Sequence, residues 1–502
     1  MSREIDPVTL QVMLGALRAA CEEMGVVLVR SAHSANIKER RDASTALFDH
    51  QGQMVMQAEH IPVHLGAMPS AVAAVLDEGH GEGDAWILND PYRGGTHLPD
   101  ITAISPIFSG GELIGFAASR AHHADVGGSV PGSMPADSTK LDDEGVVIPP
   151  TKLVSGGDID RDVLDDLTGR MRGPRQRVAD LRAQLAANRA GARRLVELVD
   201  RYGLDDLRTA MDATLDYAER RTRAAIEELG SGERSATDIL EARDDVDLEL
   251  RLVATIDGSD LKLDFTGSAD AHDGNLNCPL SVTLSACYFA VRVLADPDVP
   301  PCAGAYRPIE VVAPEGCLLN AEPPHAVVAG NVETSSRVAD LVLRAFGRAL
   351  GQGTMNNLTL GNDDFTYYET IGGGQGACPG EDGPNAVHVA MSNTHNTPVE
   401  ALELEFPLRA VEYALRRDSG GAGEHRGGEG VVREVEALAD MSYSLLTERR
   451  RHAPPGADDG EDGQPGRNLL NGDELPAKAA GSLRAGDRLR IETPGGGGHG
   501  KS

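Results

Sequence analysis

Residues 87–128 read ILNDPYRGGTHLPDITAISPIFSGGELIGFAASRAHHADVGG, a stretch that concentrates Asp90, His97, Asp100, His122, His123 and Asp125. Imidazole nitrogens and carboxylate oxygens together are donors for a divalent cation. A mixed set of this kind suits Zn, Mn or Fe without distinguishing among them. The donors fall at the two ends of an implied hairpin. An apolar strand from Ile101 to Phe108 meets a Gly110-Gly111 turn, and a second strand runs from Leu113 to Ala121. With Ser109 facing Glu112, the register sets Asp100 opposite Ala121 and Leu98 opposite His123, so the donor-rich ends share one rim. Strict pleating would place Asp100, His123 and Asp125 on one face and His97 with His122 on the other. Gly94, Gly95, Gly127 and Gly128 interrupt pleating at that rim, and spacing alone does not choose between His122 and His123.

Other chemistry is weaker on inspection. The tail GGGGHGKS matches G-x-x-x-x-G-K-S in letters, but a phosphate-cradling loop needs a helix after it, and none follows here. GGSVPGS around Ser129 is not G-x-S-x-G. The six cysteines form no C-x-x-C pair, which argues against a zinc ribbon or a disulfide scaffold.

The elements that must position the donors can be read from periodicity. Val8, Leu10, Met13, Leu14, Leu17, Met24 and Leu28 predict a long half-buried helix, with Asp6 as N-cap and Pro7 in its first turn. STALF and QMVMQ predict a hairpin. Residues 156–230 predict a helical hairpin on the surface, divided at Gly203, with an interface role as the alternative. Helices are expected from Pro279 and over 335–350, and residues 453–466 read as an exposed acidic loop. The fold class expected is α+β, a multi-unit chain with mixed and antiparallel sheets. The units are an N-terminal α/β unit with the metal-binding hairpin (1–155), a helical hairpin (156–232), a central α/β unit (233–352) and a Gly-rich, β-rich unit (353–502).

Composition narrows the partners. With 47 Lys+Arg against 78 Asp+Glu over 502 residues, the formal charge is −31, so neither nucleic acid nor a membrane surface is expected as a partner. Only six of the basic residues are lysine, and an acidic, Lys-poor surface suggests a salt-adapted interior. The start MSREIDPVTL lacks a basic segment followed by an apolar one, and no window approaches about 18 uninterrupted apolar residues. A cytoplasmic location is expected.

Several segments then carry a resemblance: NIKERRDAS (36–44), HIPVHLGAM (60–68), NDPYRGGTHLPDIT (89–102), AHHADVGGSVPGSMP (121–135), GNVETSSRVAD (330–340) and MSNTHNTPVEALE (391–403). With them the chain resembles the hydantoinase B/oxoprolinase family from DPVTLQV to IETPGGGGHG. The resemblance implies an ATP-dependent hydrolase of cyclic amides such as hydantoins, 5-oxoproline or lactams. It also implies a hetero-oligomer in which a hydantoinase A-like ATPase subunit holds the ATP. In the related acetone carboxylase alpha subunit an H-x-x-D pair binds manganese, and that pair falls on His122 and Asp125. By the same resemblance Asp42, His97 and Asp100 complete a one- or two-metal site. The implied mechanism is attack by cation-activated water on a carbonyl phosphorylated by the partner. Asp42, Asp100 or Asp125 would accept the proton, and Arg41 and Arg93 are candidates for holding the phosphoryl group. GVVIPP at 145–150 lacks a histidine that acetone carboxylases place there, which favours hydrolysis over carboxylation. An ATP-dependent carboxylase subunit and a non-catalytic scaffold for the ATPase stay open as alternatives.

Overall fold

Asp6 and Pro7 start the first helix as their types require. In the computed structural model, which describes residues 5–502, Asp6 accepts hydrogen bonds from the Val8 and Thr9 amides at 3.1 Å and α1 runs Pro7–Ser31. Residues 1–4, the beginning of the segment in which no leader is expected, lie outside the described residues. A short helix α2 (Ala35–Lys38) follows, and then the sheet that carries the hairpin.

That sheet has seven antiparallel strands: β1 (Ala43–Asp49), β2 (Met54–Glu59), β3 (Ala85–Leu88), β4 (Asp100–Ser109), β5 (Glu112–His122), β6 (Thr151–Ser155) and β7 (Asp158–Ile159), in spatial order β2-β1-β5-β4-β3-β6-β7. Both faces are covered. Leu47 and Ala117 pack with Met13, Leu17 and Met24 of α1, whereas their neighbours Phe48 and Phe116 pack with Val282 and Ala286 of the helix Leu280–Leu294. Each large side chain buried this way stabilises the layer by roughly 1.5–3 kcal/mol.

The hairpin β4–β5 departs from the simple register. Ser109 does face Glu112, but a bulge between Ile107 and Phe108 adds a residue on β5. Asp100 therefore lies opposite His122, not Ala121.

The block after residue 156 is also corrected. Its helices Pro174–Tyr202 and Leu204–Glu228 are separated by Gly203 alone, as expected, but the first is no solvated surface element. Gln184 donates to the carbonyls of Ile101 and Ser119, and Asn188 to that of Ala103, so polar side chains tie this helix across β4 and β5. Its charged letters misled because Arg177 and Asp180 are buried and paired with each other.

The rest of the chain builds three smaller sheets. One has the order Ile309–Val312, Asp260–Asp264, Asp247–Asp257, Gly232–Glu241. A second contains Thr366–Glu369, Asn357–Gly361, Met441–Leu446 and Lys478–Leu483, and a third has Leu408–Arg416 at one edge and Arg488–Glu492 at its centre. The helix expected over 335–350 ends at Ala345, where Gly347 adopts a left-handed φ of 73°, and a single π turn, Gly330–Thr334, leads into it.

Glycine backbones pack directly on one another near the C-terminal end of the sequence. The Gly496 amide donates to Gly428 O, Gly421 N to Gly496 O, and Gly498 N to Glu461 O, so residues from 374–376, 420–428, 456–463 and 494–498 form one close stack. A Cβ on Gly496 would stand 2.0 Å from Gln375 O. The acidic loop 453–466 is thus partly packed into this stack, since Ala457 and Gly463 donate to Gly498 O and Pro454 O. Among the described residues no helix is long and apolar enough to cross a membrane.

Candidate functional site

The bulge brings the first pair together. With Asp100 opposite His122, both side chains leave the sheet on one face, and the following residue His123 leaves on the other. The turn before β4 supplies His97, whose Nε2 lies 3.2 Å from Asp100 Oδ2, and Thr96, whose hydroxyl donates to the same oxygen at 2.6 Å. The turn Pro62–His64 after the β1–β2 hairpin adds His64. Its Nδ1 is 2.9 Å from Ser44 Oγ and its Nε2 3.5 Å from Asp100 Oδ2.

Asp42 closes the group from the start of β1. Its carbonyl accepts the His122 amide at 3.1 Å, and its own amide donates to Asn36 O. The residue before it, Arg41, holds a left-handed φ of 56°, a backbone state that non-glycine residues keep only where neighbours impose it. The buried Arg40 reaches the opposite way and donates to Tyr368 O at 2.7 Å and to Thr370 Oγ1 at 3.1 Å. Its guanidinium lies 4.5 Å from the Tyr368 ring centroid, and the same ring stacks on His122 at 4.6 Å and 10°. The Thr366–Glu369 strand thereby seals the hairpin rim.

Burial sets the electrostatics. Alone it would raise the Asp100 carboxyl, but the imidazoles of His97 and His64 overcome it and hold that carboxyl well below the usual range. Asp42 goes the other way: burial lifts it to about 7, with Asp100 adding to the rise and Arg40 opposing it. Burial and the neighbouring His97 keep His122 well below an ordinary imidazole, and burial lowers His64 as well. Arg120 sits beside Asp100, donates to Thr102 Oγ1 and Gly94 O, and is lowered to about 10 by burial.

Among the described residues no three His, Cys, Asp or Glu side chains stand in ready ligating geometry. Asp100 instead takes hydrogen-bonding distances to its neighbours. The cluster nonetheless has unused donor atoms: both nitrogens of His97, Nε2 of His122, Nε2 of His64 and Oδ1 of Asp100 are buried without a hydrogen-bond partner. Native interiors rarely leave such atoms idle, and imidazole nitrogens with a carboxylate oxygen fit a divalent cation after small side-chain rotations.

Two expected members are placed elsewhere. His123 bonds Gln184 Oε1 through Nε2 at 3.0 Å on the opposite face, and burial lowers it to about 4. Both Asp125 oxygens are engaged, accepting the Gly127 and Gly132 amides at 2.7 Å and facing Arg172 at 3.3 Å, so this carboxylate organises the glycine turn after β5. Asp90 caps the turn Pro91–Arg93. Arg41 and Arg93 are both exposed.

The tail GGGGHGKS also has a definite place. The amides of residues 495–500 all donate to protein carbonyls, which leaves none for a phosphate.

The sequence pattern of the hydantoinase B/oxoprolinase family matches residues 6–502. The chain belongs to the hydantoinase B/oxoprolinase family. Within this family it is 40% identical over 530 residues to 5-oxoprolinase 1 of Arabidopsis thaliana, covering 99% of this chain and 42% of that protein. It is 34% identical over 536 residues to a protein from Pseudomonas sp. (strain NS671) named as the B component of a D-/L-hydantoinase, covering 99% and 90%. The chain thus spans about two fifths of the 5-oxoprolinases it matches. Among solved structures, the ATP-dependent caprolactamase from Pseudomonas jessenii superposes with a TM-score of 0.92 at 30% identity, covering 99% of this chain and 92% of that one. A nucleotide-free acetone carboxylase shares the fold, with a TM-score of 0.88 at 19% identity and coverage of 99% and 76%.

His64, Asn36, Arg40, Arg120 and Tyr368 are the site residues of this family member that the hairpin pattern did not reveal. His64 lies in HIPVHLGAM, a segment that carries the resemblance, and its signal was a histidine directly after a predicted hairpin. Tyr368 comes from a strand more than 240 residues from His122, and no local pattern marks it.

Proposed function

We propose that this chain is the cation-binding subunit of an ATP-dependent hydrolase of cyclic amides. The observation that carries the reading is the convergence of buried, unpartnered donor atoms on His97, Asp100 and His122. Relatives and a neighbour named for 5-oxoproline, hydantoin and caprolactam support the substrate class, since each name denotes a ring amide. An unstrained ring amide resists water, so coupling to ATP makes opening favourable. With the tail amides engaged, the nucleotide belongs to a partner of the hydantoinase A type. Coverage of 90% of a separate hydantoinase component against 42% of a 5-oxoprolinase supports a hetero-oligomer.

A divalent cation (Mn, Zn or Fe) held by His97, Asp100 and His122 would supply Lewis acidity and a more acidic water. The chain's own groups do the rest. Asp42, adjoining that set, is the proton acceptor for the attacking water. His64, Thr96 and Arg120 keep Asp100 ionised and oriented. Arg41, turned outward by its left-handed backbone next to Asp42, meets the oxyanion of a carbonyl activated by the partner, and Arg93 is the second candidate for that contact.

The test is co-purification with the ATPase-like partner, metal analysis, and ATP turnover against 5-oxoproline, hydantoins, lactams, and acetone with bicarbonate. Ring opening that disappears in His97→Ala together with the bound metal supports the reading. Undiminished ring opening by a metal-free complex defeats it, and turnover only with acetone and bicarbonate moves the chain to the carboxylases.

A further inference from the structure

Asn36 is 3% exposed and lies in the α2 turn, where its Nδ2 stands 3.0 Å from His122 Nδ1. An amide NH2 can only donate, so in this arrangement His122 Nδ1 accepts. A neutral imidazole carries one N–H, which must then be on Nε2. That atom points into the donor cluster, is buried and has no hydrogen-bond partner. An Nε2 that carries a proton cannot ligate a cation.

The ring has little freedom to solve this by tilting. Tyr368 stacks on it nearly parallel, the Tyr368 hydroxyl is held by Asn357 Nδ2 at 2.5 Å, and Arg40 holds the Tyr368 carbonyl. His97 meets the ring edge-on, at 5.1 Å between centroids and 61°. The amide, by contrast, can turn over about Cβ–Cγ and exchange Oδ1 for Nδ2 with almost no change of shape.

We propose that Asn36 is the positioning residue that sets the tautomer of His122, with its amide turning over to free Nε2 when a cation enters. In the resting arrangement Asn36 Nδ2 donates to Nδ1 and the proton sits on Nε2. In the loaded arrangement Nδ1–H donates to Asn36 Oδ1, and the Nε2 lone pair faces Asp100. One proton leaves Nε2 and one is taken up at Nδ1, so the net charge of the ring is unchanged. Partners of this kind, one bond beyond the ligand, tune metal affinity by about 10–100-fold. The loaded half of the inference rests on the proposed cation site; the resting half rests only on the Asn36–His122 contact.

The experiment uses the full-length chain labelled with ¹⁵N-histidine and stripped of metal, with the His122 signals identified by their loss in His122→Gln. The expected pattern is Nε2 protonated and Nδ1 bare in the unsubstituted protein, and the reverse in Asn36→Asp, whose carboxylate can only accept. Zinc titration against a competing chelator should show about 10–100-fold weaker binding in Asn36→Leu, with Asn36→Asp within a few-fold of the unsubstituted chain or tighter. A protonated Nδ1 in the metal-free unsubstituted protein overturns the inference. So does Asn36→Leu binding zinc as tightly as the parent. If Asn36→Leu does not fold, the comparison of the parent with Asn36→Asp still decides. If no variant binds zinc, the cation reading fails, while the ¹⁵N pattern separately decides whether Asn36 selects the tautomer.

Discussion

Asp100 faces His122 across β4 and β5 because Ile114 is an extra residue in the second strand, inserted between the partners of Ile107 and Phe108. Without that residue the hairpin would put Ala121 there and turn His122 to the other face.

The first prediction concerns that pair. Asp100→Asn keeps the volume but removes the charge that His97 and His64 stabilise. Ring-opening turnover should fall by roughly 10³-fold, corresponding to several kcal/mol of lost charge stabilisation, and bound metal should fall with it. Parallel metal analysis and turnover of the partner complex provide the check.

Asp125→Asn should behave differently. Its carboxylate serves the amides of Gly127 and Gly132 and the guanidinium of Arg172. The substitution should cost about 1–3 kcal/mol of stability and leave metal stoichiometry unchanged. Denaturant melts alongside metal analysis separate the two effects, and loss of metal with unchanged stability would restore Asp125 to the ligand set.

A buried ionic network makes a third case. Arg337 bridges Asp238 at 3.3 Å and Glu448 at 3.2 Å, and Arg449 also pairs with Asp238, so the helix Ser335–Ala345, the strand Gly232–Glu241 and the residues after Met441–Leu446 share charges. Arg337→Met should cost about 3–5 kcal/mol in denaturant melts, because two carboxylates lose a buried counter-ion.

The same network predicts acid lability. Burial alone would raise the Asp238 carboxyl, but Arg337 and Arg449 overcome it and hold the group far below its ordinary value. A depressed carboxyl contributes stability that is full above the unfolded value, about 3.9, and is lost as the pH falls below it. Urea melts from pH 6 to pH 3 should show that loss, reduced in Asp238→Asn.

Glycine substitutions give a paired test. Gly496→Ala drives a Cβ to 2.0 Å from Gln375 O, backbone that cannot step aside, and should unfold or strongly destabilise the C-terminal third. Gly15→Ala lies in α1 with open space around it and should stabilise by about 0.5–1 kcal/mol. Thermal melts of both variants suffice.

Much of this architecture was legible in the residues themselves. Asp6 with Pro7 marked the start of α1, and Gly110-Gly111 between two apolar runs marked the hairpin, because capping and turn chemistry are local. Which histidine faces the carboxylate was not legible. A bulge has no signature in a run such as ELIGFAAS, and one residue of slip reverses every side chain. Asp125 was misplaced for a related reason. The H-x-x-D spacing by itself does not show that the turn's own amides occupy the carboxylate. Tyr368 and Arg40 depend on contact between strands far apart in the chain, and the helix Pro174–Tyr202 hid a buried polar face behind charged letters.

The glycine stack has a consequence for the order in which the molecule can be finished. Residues 494–498 interlock with backbone from 374–376, 420–428 and 456–463, all made earlier on the ribosome. Those three segments present rows of unmet amides and carbonyls until the last one arrives. The tetraglycine therefore acts as a keystone: a nascent chain interrupted shortly before it would keep an open, sticky seam, visible to chaperones and proteases, while the hairpin bearing Asp100 and His122 could already be in place.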